Sequence, residues 1–146
     1  MILTRTRINK KTKWLVYTVL IGLLPIFSRL VANCFMDDIA LFSPNDFIAF
    51  GFVMHISILN ELEHLHDDEN WKTINNGLSI GFVFIYGLLS FGAISVEVVS
   101  NSSAQDKLKI LSFIMSTVSF MLAYSVFNRL SARANFQAQT AGGNAC

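Results

Sequence analysis

The feature that most constrains this chain is an apolar run from Thr73 to Val96 that contains no charged side chain. A helix needs about 20 predominantly apolar residues to cross the hydrocarbon core of a bilayer. A second run, from Leu108 to Leu130, is nearly as long and has only Lys109 at its edge. Composition agrees, because 53% of the 146 residues are hydrophobic and 14% are charged, against about 25% charged in soluble domains. We therefore expect an all-α polytopic membrane protein.

Two further windows suggest additional crossings. The first begins at Trp14 and is interrupted by Arg29, and the second begins at Pro44 and is the shortest. Ser43 and Asp46 have the spacing of a capping box, which marks the start of a helix. The sequence predicts a four-transmembrane-helix bundle over residues 1–133, with crossings at about 14–36, 44–62, 73–96 and 108–130, and a flexible cytosolic tail over 134–146. If the second window were re-entrant, the chain would cross three times.

Positive charges predict the orientation of these crossings. With the N-terminus in the cytosol, eight Lys or Arg residues are cytosolic and three are not. Trp14 and Trp71 then both lie at the cytosolic interface, where indole rings are enriched. We expect an inner-membrane protein with both termini cytosolic. The basic leader before the first window also resembles a secretory signal, but the small-residue cleavage pattern is poor, which favours an uncleaved crossing.

Two polar side chains fall inside the predicted crossings. Arg29 is expected to reach the outer headgroups, to pair with Asp46 or Glu97, or to line an ion or ligand pathway. His55 lies about 16 Å along the second helix, near the centre of the bilayer. It is expected either to hydrogen-bond to Ser or Thr on another helix or to relay protons.

Small residues on the third and fourth helices predict close helix packing. Gly77 and Gly81 form a GxxxG pattern, and Ser112, Ser116 and Ser119 form a stripe on the fourth helix. Packing within one chain and packing between copies are both consistent with the pattern, and we expect a homo-oligomer. A serine stripe that lines a wet pore is the alternative.

The most distinctive polar segment lies between the second and third windows. It contains two histidines and five acids: Glu61, Glu63, His64, His66, Asp67, Asp68 and Glu69. Glu61 and His64 have the Glu-x-x-His spacing of carboxylate metal sites, but no other crossing supplies matching ligands. We therefore expect no metal and no cofactor, and interpret the segment as a cytosolic docking site for a basic protein partner. A merely solvated loop is the alternative.

The sequence lacks the motifs of several enzyme classes. It contains no phosphate-binding loop, no nucleophile elbow, no HExxH and no CxxC. Its charges give no basic stripe of the kind that binds nucleic acid directly. We therefore expect a protein that is not an enzyme and whose partners are the lipid bilayer, other copies of itself and a cytosolic protein.

The basic leader from Arg5 to Lys13, the four apolar windows and the acidic segment from Glu61 to Glu69 form a recognisable layout. This layout, over about residues 1–133, resembles the membrane subunit of the Kiwa anti-phage defence system. The resemblance implies an inner-membrane oligomer that senses phage-induced membrane disturbance and holds a cytosolic DNA-binding effector. It supplies no residue pattern for a site.

Two functional hypotheses follow. The first is a non-enzymatic sensor or anchor that recruits a cytosolic effector through the acidic segment. The second is a small oligomeric ion channel or proton-linked conductor that uses His55, Arg29 and the serine stripe.

Overall fold

A computed structural model describes residues 13, 15–36, 40–63, 68–99 and 102–143. Of these residues, 95% are helical. A π-helical turn at Leu15–Val19 leads into the first of four α-helices. The helices are α1 at Leu20–Phe35, α2 at Pro44–Glu63, α3 at Glu69–Val99 and α4 at Ser102–Gly143.

Successive helices run in opposite directions. Arg29 near the end of α1 meets Asp46 near the start of α2. Further along, Ile48 of α2 packs with Ala93, which lies near the end of α3. We call this extremity of the molecule the Arg29 end. The opposite extremity, where Asp68 meets Arg129 and Arg133 of α4, is the Asp68 end.

Helix α2 occupies the centre of the fold and contacts each of the other three helices. Its largest contact is with α4, where Phe50, Met54, Ile58 and Leu62 pack against Ala123, Val126, Phe127 and Leu130. A smaller apolar cluster joins α2 to α3 through Ile48, Tyr86 and Ala93. Of the three other described α-helices, α1 packs on α2 alone. Its close approach depends on Gly22, because a Cβ there would lie 3.0 Å from the Phe50 ring.

Within the described residues, three segments are long and apolar enough to cross a membrane: Val16–Phe35, Glu69–Val99 and Ser102–Ala134. This finding agrees with the first, third and fourth predicted crossings. Helix α2 is not among them, so a fourth crossing remains a prediction. The physical reason is composition, since α2 carries Asp46, His55 and two glutamates, which lower its mean hydropathy.

Helices α3 and α4 extend beyond the predicted windows at both ends. At the predicted boundary between residues 133 and 134, α4 continues without interruption to Gly143. The reason is local composition, because this segment contains several Ala and Gln residues, which have high helix propensity. The helix ends at the pair Gly142 and Gly143, where helix propensity is low.

Candidate functional site

The described polar side chains that join one helix to another gather mainly at three levels along the helices. The middle level is a hydrogen-bonded group of three side chains from three helices. His55 Nε2 of α2 lies 2.9 Å from Ser119 Oγ of α4, and Tyr86 Oη of α3 lies 2.7 Å from the same oxygen. All three side chains are fully buried. One serine hydroxyl therefore connects the three helices around it.

The His55 ring is enclosed on its face as well as at its edge. It stacks on Phe82 of α3 with ring centroids 4.5 Å apart and an interplanar angle of 15°. Its Nδ1 atom is buried and has no hydrogen-bond partner among the described residues. A neutral imidazole has one N–H donor, whereas an imidazolium has two. With a hydrogen bond at Nε2 only, the site therefore suits the neutral ring better, because an imidazolium would leave the Nδ1–H donor unpaired. The interhelical bond to serine is one of the two roles that the sequence predicts.

Tyr86 requires a glycine opposite it. A Cβ added at Gly51 of α2 would overlap the Tyr86 hydroxyl. No sequence pattern distinguishes Gly51, because a lone glycine in an apolar helix gives no signal of what packs against it. The absent side chain allows the tyrosine hydroxyl to reach Ser119 between α2 and α4.

The predicted serine stripe lies on the buried face of α4. Ser112, Ser116 and Ser119 are 0%, 4% and 0% exposed. Ser116 Oγ donates to the carbonyl of Phe113 in its own helix, and Ser112 Oγ is buried with no partner in the described part of the chain. The stripe therefore packs within one chain, which is one of the two arrangements that its spacing allowed.

The GxxxG pair has the opposite placement. Gly77 and Gly81 lie on an exposed face of α3, and a Cβ added at either would meet no atom within 4 Å. The bulky side chains beside them, Ile74, Phe84 and Leu88, are also exposed. Packing of this pair against another helix of the same chain is thus absent from the described structure, and packing between copies remains a prediction.

The Arg29 end holds a capped and ion-paired carboxylate. Asp46 Oδ2 accepts a hydrogen bond from the backbone N–H of Ser43 at 2.9 Å, the reciprocal half of a capping box. Arg29 Nε lies 2.6 Å from the same oxygen, although its N–H is not directed along a hydrogen bond. Of the roles predicted for Arg29, the structure contains the pairing with Asp46.

The Asp68 end holds a second ionic cluster. Arg129 and Arg133, one turn apart on α4, donate to Asp68 Oδ2 at 3.1 Å and 2.6 Å. Both guanidinium groups also lie over the Trp71 ring, at 4.7 Å and 5.7 Å from its centroid. The hydrogen bond from Arg133 is the main reason that the pKa of Asp68 is lowered from its ordinary value of 3.8.

Asp68 also directs the backbone into α3. Its φ of 65° is in the left-handed region, which Asp tolerates better than most residues, and its carbonyl accepts from the Lys72 N–H at the start of the helix. Arg129 and Arg133 are two of the eight Lys and Arg residues that the sequence places in the cytosol. Their i,i+4 spacing was the available signal that both could reach one partner.

The acidic segment is therefore divided in its roles. Asp68 is engaged within the chain, Glu63 and Glu69 are exposed, and Glu61 is half-buried. His64, His66 and Asp67, also predicted to bind a partner, lie outside the described residues. Within the described ranges, no three His, Cys, Asp or Glu side chains are close enough to share a metal ion.

Comparison with known proteins gives no relative for this arrangement. No protein-family model, no curated protein and no solved structure matches the chain.

Proposed function

We propose that this chain is a non-enzymatic, multi-pass subunit of the inner membrane that anchors a cytosolic protein partner at its Asp68 end. The observation that carries the proposal is the length of α4. At 1.5 Å per residue, its 42 residues extend about 63 Å, whereas a bilayer with its headgroups is about 40–45 Å thick. If α4 starts near one surface, its last turns project beyond the other, at the end where the acidic segment lies.

Two features support four crossings with both termini in the cytosol. Helix α2 has 20 residues, about 30 Å, which equals the thickness of the hydrocarbon core. It also runs antiparallel to α1 and α3 along their apolar lengths. Outside the basic leader, the described positive charges are balanced, with Lys72, Arg129 and Arg133 at the Asp68 end and Arg29, Lys107 and Lys109 at the other. The basic leader therefore decides the orientation, and it favours a cytosolic Asp68 end.

Self-association is the second part of the proposal. The face of α3 that carries Gly77 and Gly81 is exposed, and glycine pairs at this spacing let two membrane helices approach closely. We infer that two copies meet on this face. Gly81→Leu is expected to reduce cross-linked dimers in native membranes, while Gly87→Leu, also at an open position of α3, is the matched control. Equal cross-linking of both variants and the wild type would exclude this face.

Docking of the partner is assigned to the exposed acids on either side of Asp68. The two arginines fix Asp68 to α4, so Glu63 and Glu69 are held at a constant place beside the projecting helix. Their charge favours a basic protein surface. The resemblance to the Kiwa membrane subunit makes anti-phage defence the proposed setting and a DNA-binding effector the proposed partner, and nucleic acid would be bound only by that partner.

The test separates docking from folding. The partner is first identified by copurification in mild detergent and then purified, and its dissociation constant is measured for each variant of the membrane subunit. Glu63→Gln with Glu69→Gln should weaken binding about tenfold or more, because two charge pairs at an interface are lost. Asp106→Asn, an exposed acid at the other end, should change nothing. An unchanged dissociation constant for the double variant would refute docking at this segment.

The His55–Ser119–Tyr86 group is the observation that favours a conductor as the second candidate. A chain of hydroxyl and imidazole groups at this depth has the chemistry of a proton relay. Its members are fully buried against one another, however, which suits a structural contact. If the protein is an anchor, the purified protein should carry no current across planar bilayers under potential and tension. Proton currents abolished by His55→Ala would favour the conductor.

A further inference from the structure

A polar pocket of about 240 Å³ lies at the Arg29 end, between the start of α2, the last turns of α3 and the first turns of α4. Its charged lining residues are Arg29, Glu97 and Lys109, and Ser43, Asn45 and Gln105 add uncharged polar groups. None of these side chains has a role in the proposed docking of a cytosolic partner, which is placed at the opposite end.

The charges of the pocket are of both signs. Arg29 is held by Asp46 through Nε, so the ion pair fixes the guanidinium beside the pocket. Lys109 has a long contact of 3.8 Å to Asp106, whose side chain is 76% exposed, so this pairing is weak. The Glu97 carboxylate is exposed and makes no ion pair with any described residue. The pocket therefore offers cationic donors and a separate anionic acceptor.

The depth of these groups identifies the layer in which the pocket lies. Arg29 precedes the end of α1 by six residues, about 9 Å, and Lys109 follows the start of α4 by seven residues, about 10 Å. Glu97 is two residues, about 3 Å, before the end of α3. The headgroup layers of a bilayer add about 5–8 Å on each side of its hydrocarbon core. Glu97 therefore lies at headgroup depth. The backbones of Arg29 and Lys109 lie a few ångströms deeper, and their long side chains line the same pocket.

We propose that this pocket binds the headgroup of a phosphatidylethanolamine molecule in the leaflet at the Arg29 end. The phosphate oxygens accept hydrogen bonds from the Lys109 ammonium and from the terminal N–H groups of Arg29. The ammonium of the lipid donates to the Glu97 carboxylate. The lipid is bound without any covalent change.

The same chemistry discriminates against other common headgroups. Phosphatidylcholine carries a trimethylated nitrogen with no N–H, so it cannot donate to Glu97. Phosphatidylglycerol carries no cation, so Glu97 would face only its hydroxyls beside a negative phosphate. Phosphate recognition by Arg29 and Lys109 is common to all three lipids, and selectivity depends on Glu97.

The experiment measures retention of short-chain lipids by the purified full-length protein, using native mass spectrometry from detergent. Dihexanoyl phosphatidylethanolamine should bind about tenfold more tightly than the glycerol and choline lipids. Lys109→Gln should weaken binding of all three lipids about five- to tenfold, since each loses one charge-assisted hydrogen bond. Glu97→Gln should weaken only the ethanolamine lipid and remove its advantage. Lys107→Gln, an exposed lysine outside the pocket, is the matched control and should bind as the wild type does.

A charge reversal keeps the proposal testable if the neutral variants misfold. Glu97→Lys should invert the preference in favour of phosphatidylglycerol. Equal binding of the three lipids by the wild-type protein, or an equal loss in Lys107→Gln and Lys109→Gln, would overturn the proposal. Soluble phosphoethanolamine serves as a further probe: if it binds as tightly as the lipid, the ligand is a soluble zwitterion and the membrane source is refuted.

Discussion

Helix α2 is more buried than helix α3, whereas their hydropathy alone would suggest the opposite order. Nine of the 20 residues of α2 are buried, against three of the 31 residues of α3. Yet α3 is apolar enough to cross a membrane by composition and α2 is not. The segment with the weaker apolar signal is thus the one that the other helices surround.

The difference follows from what each helix contacts. A helix that faces lipid needs apolar side chains on its whole exposed surface, which gives a strong hydropathy signal. A helix that faces other helices can carry polar groups when those groups find partners, as Asp46 does with Arg29 and His55 with Ser119. We therefore expect the contacts of α2 to stabilise the fold and the open face of α3 to contribute little to it.

The largest effect is expected for Asp46→Ala. It removes the capping acceptor of Ser43 and leaves Arg29 without its counter-charge. Breaking a buried pair costs about 3–5 kcal/mol, and we expect about 3 kcal/mol because the Arg29 side chain is 30% exposed. The free energy of unfolding, measured by SDS titration in mixed micelles, gives the value. The double variant Arg29→Met with Asp46→Leu should lose less, and an equal loss would contradict the ion-pair argument.

A matched glycine pair compares the two helices directly. Gly51→Ala on α2 should destabilise the protein by about 1–3 kcal/mol, because the new methyl group displaces Tyr86 from Ser119. Gly81→Ala on α3 meets no atom within 4 Å and should leave the unfolding free energy of the monomer unchanged. Similar losses in both variants would show that α3 is not open in the folded monomer.

A matched serine pair tests the middle level. Ser119→Ala should cost about 1 kcal/mol, since interhelical hydrogen bonds in membranes average about 0.6 kcal/mol and two are lost here. Ser116→Ala removes the hydroxyl of a residue that is also buried but whose hydrogen bond lies within its own helix, so its loss should be smaller. The same SDS titration measures both variants, and a larger loss in Ser116→Ala would be evidence against the three-helix contact.

The smallest effect is expected at the exposed Asp68 end. Because the folded pKa of Asp68 lies below 3.8, its contribution to stability is present above that pH and is lost as the pH falls through the folded value. The melting temperature, measured from about pH 6 to about pH 3, should therefore fall more steeply for the wild type than for Asp68→Asn. Asn also tolerates the left-handed backbone. Glu69→Gln is the control and should behave as the wild type does. Identical pH profiles for the wild type and Asp68→Asn would refute a stabilising contact of Arg129 and Arg133 with Asp68.

Sequence patterns predicted the long apolar helices, because a helix that faces lipid needs apolar side chains along its whole length. They also predicted the cap at Ser43, which depends on residues three apart. The patterns could not decide which of two small-residue faces packs within the chain. Ser119 and Gly81 are both small, and only the positions of the neighbouring helices make one buried and the other exposed.

The candidate site was predicted unevenly for a similar reason. His55 and Arg29 were singled out because polar groups are rare in lipid, and Asp46 was named as one of two candidate partners of Arg29. The partner of His55 was expected only to be some Ser or Thr, because Ser119 is 64 positions away. Asp68 was assigned to a docking segment because it lies in an acidic run. Its arginines are 61 and 65 positions further along, and no local pattern connects them to it.

Helix α4 takes part in two of these contacts without a break between them. Ser119 and Arg129 are ten residues apart, so about 15 Å of continuous helix separates the His55–Ser119–Tyr86 group from the Asp68 end. Each residue along an α-helix turns the side chain by 100°. The contacts of these two residues therefore fix both the position of α4 along its axis and its rotation about that axis. Any displacement that turns the helix at Ser119 must reorient the arginines at Asp68 by the same angle.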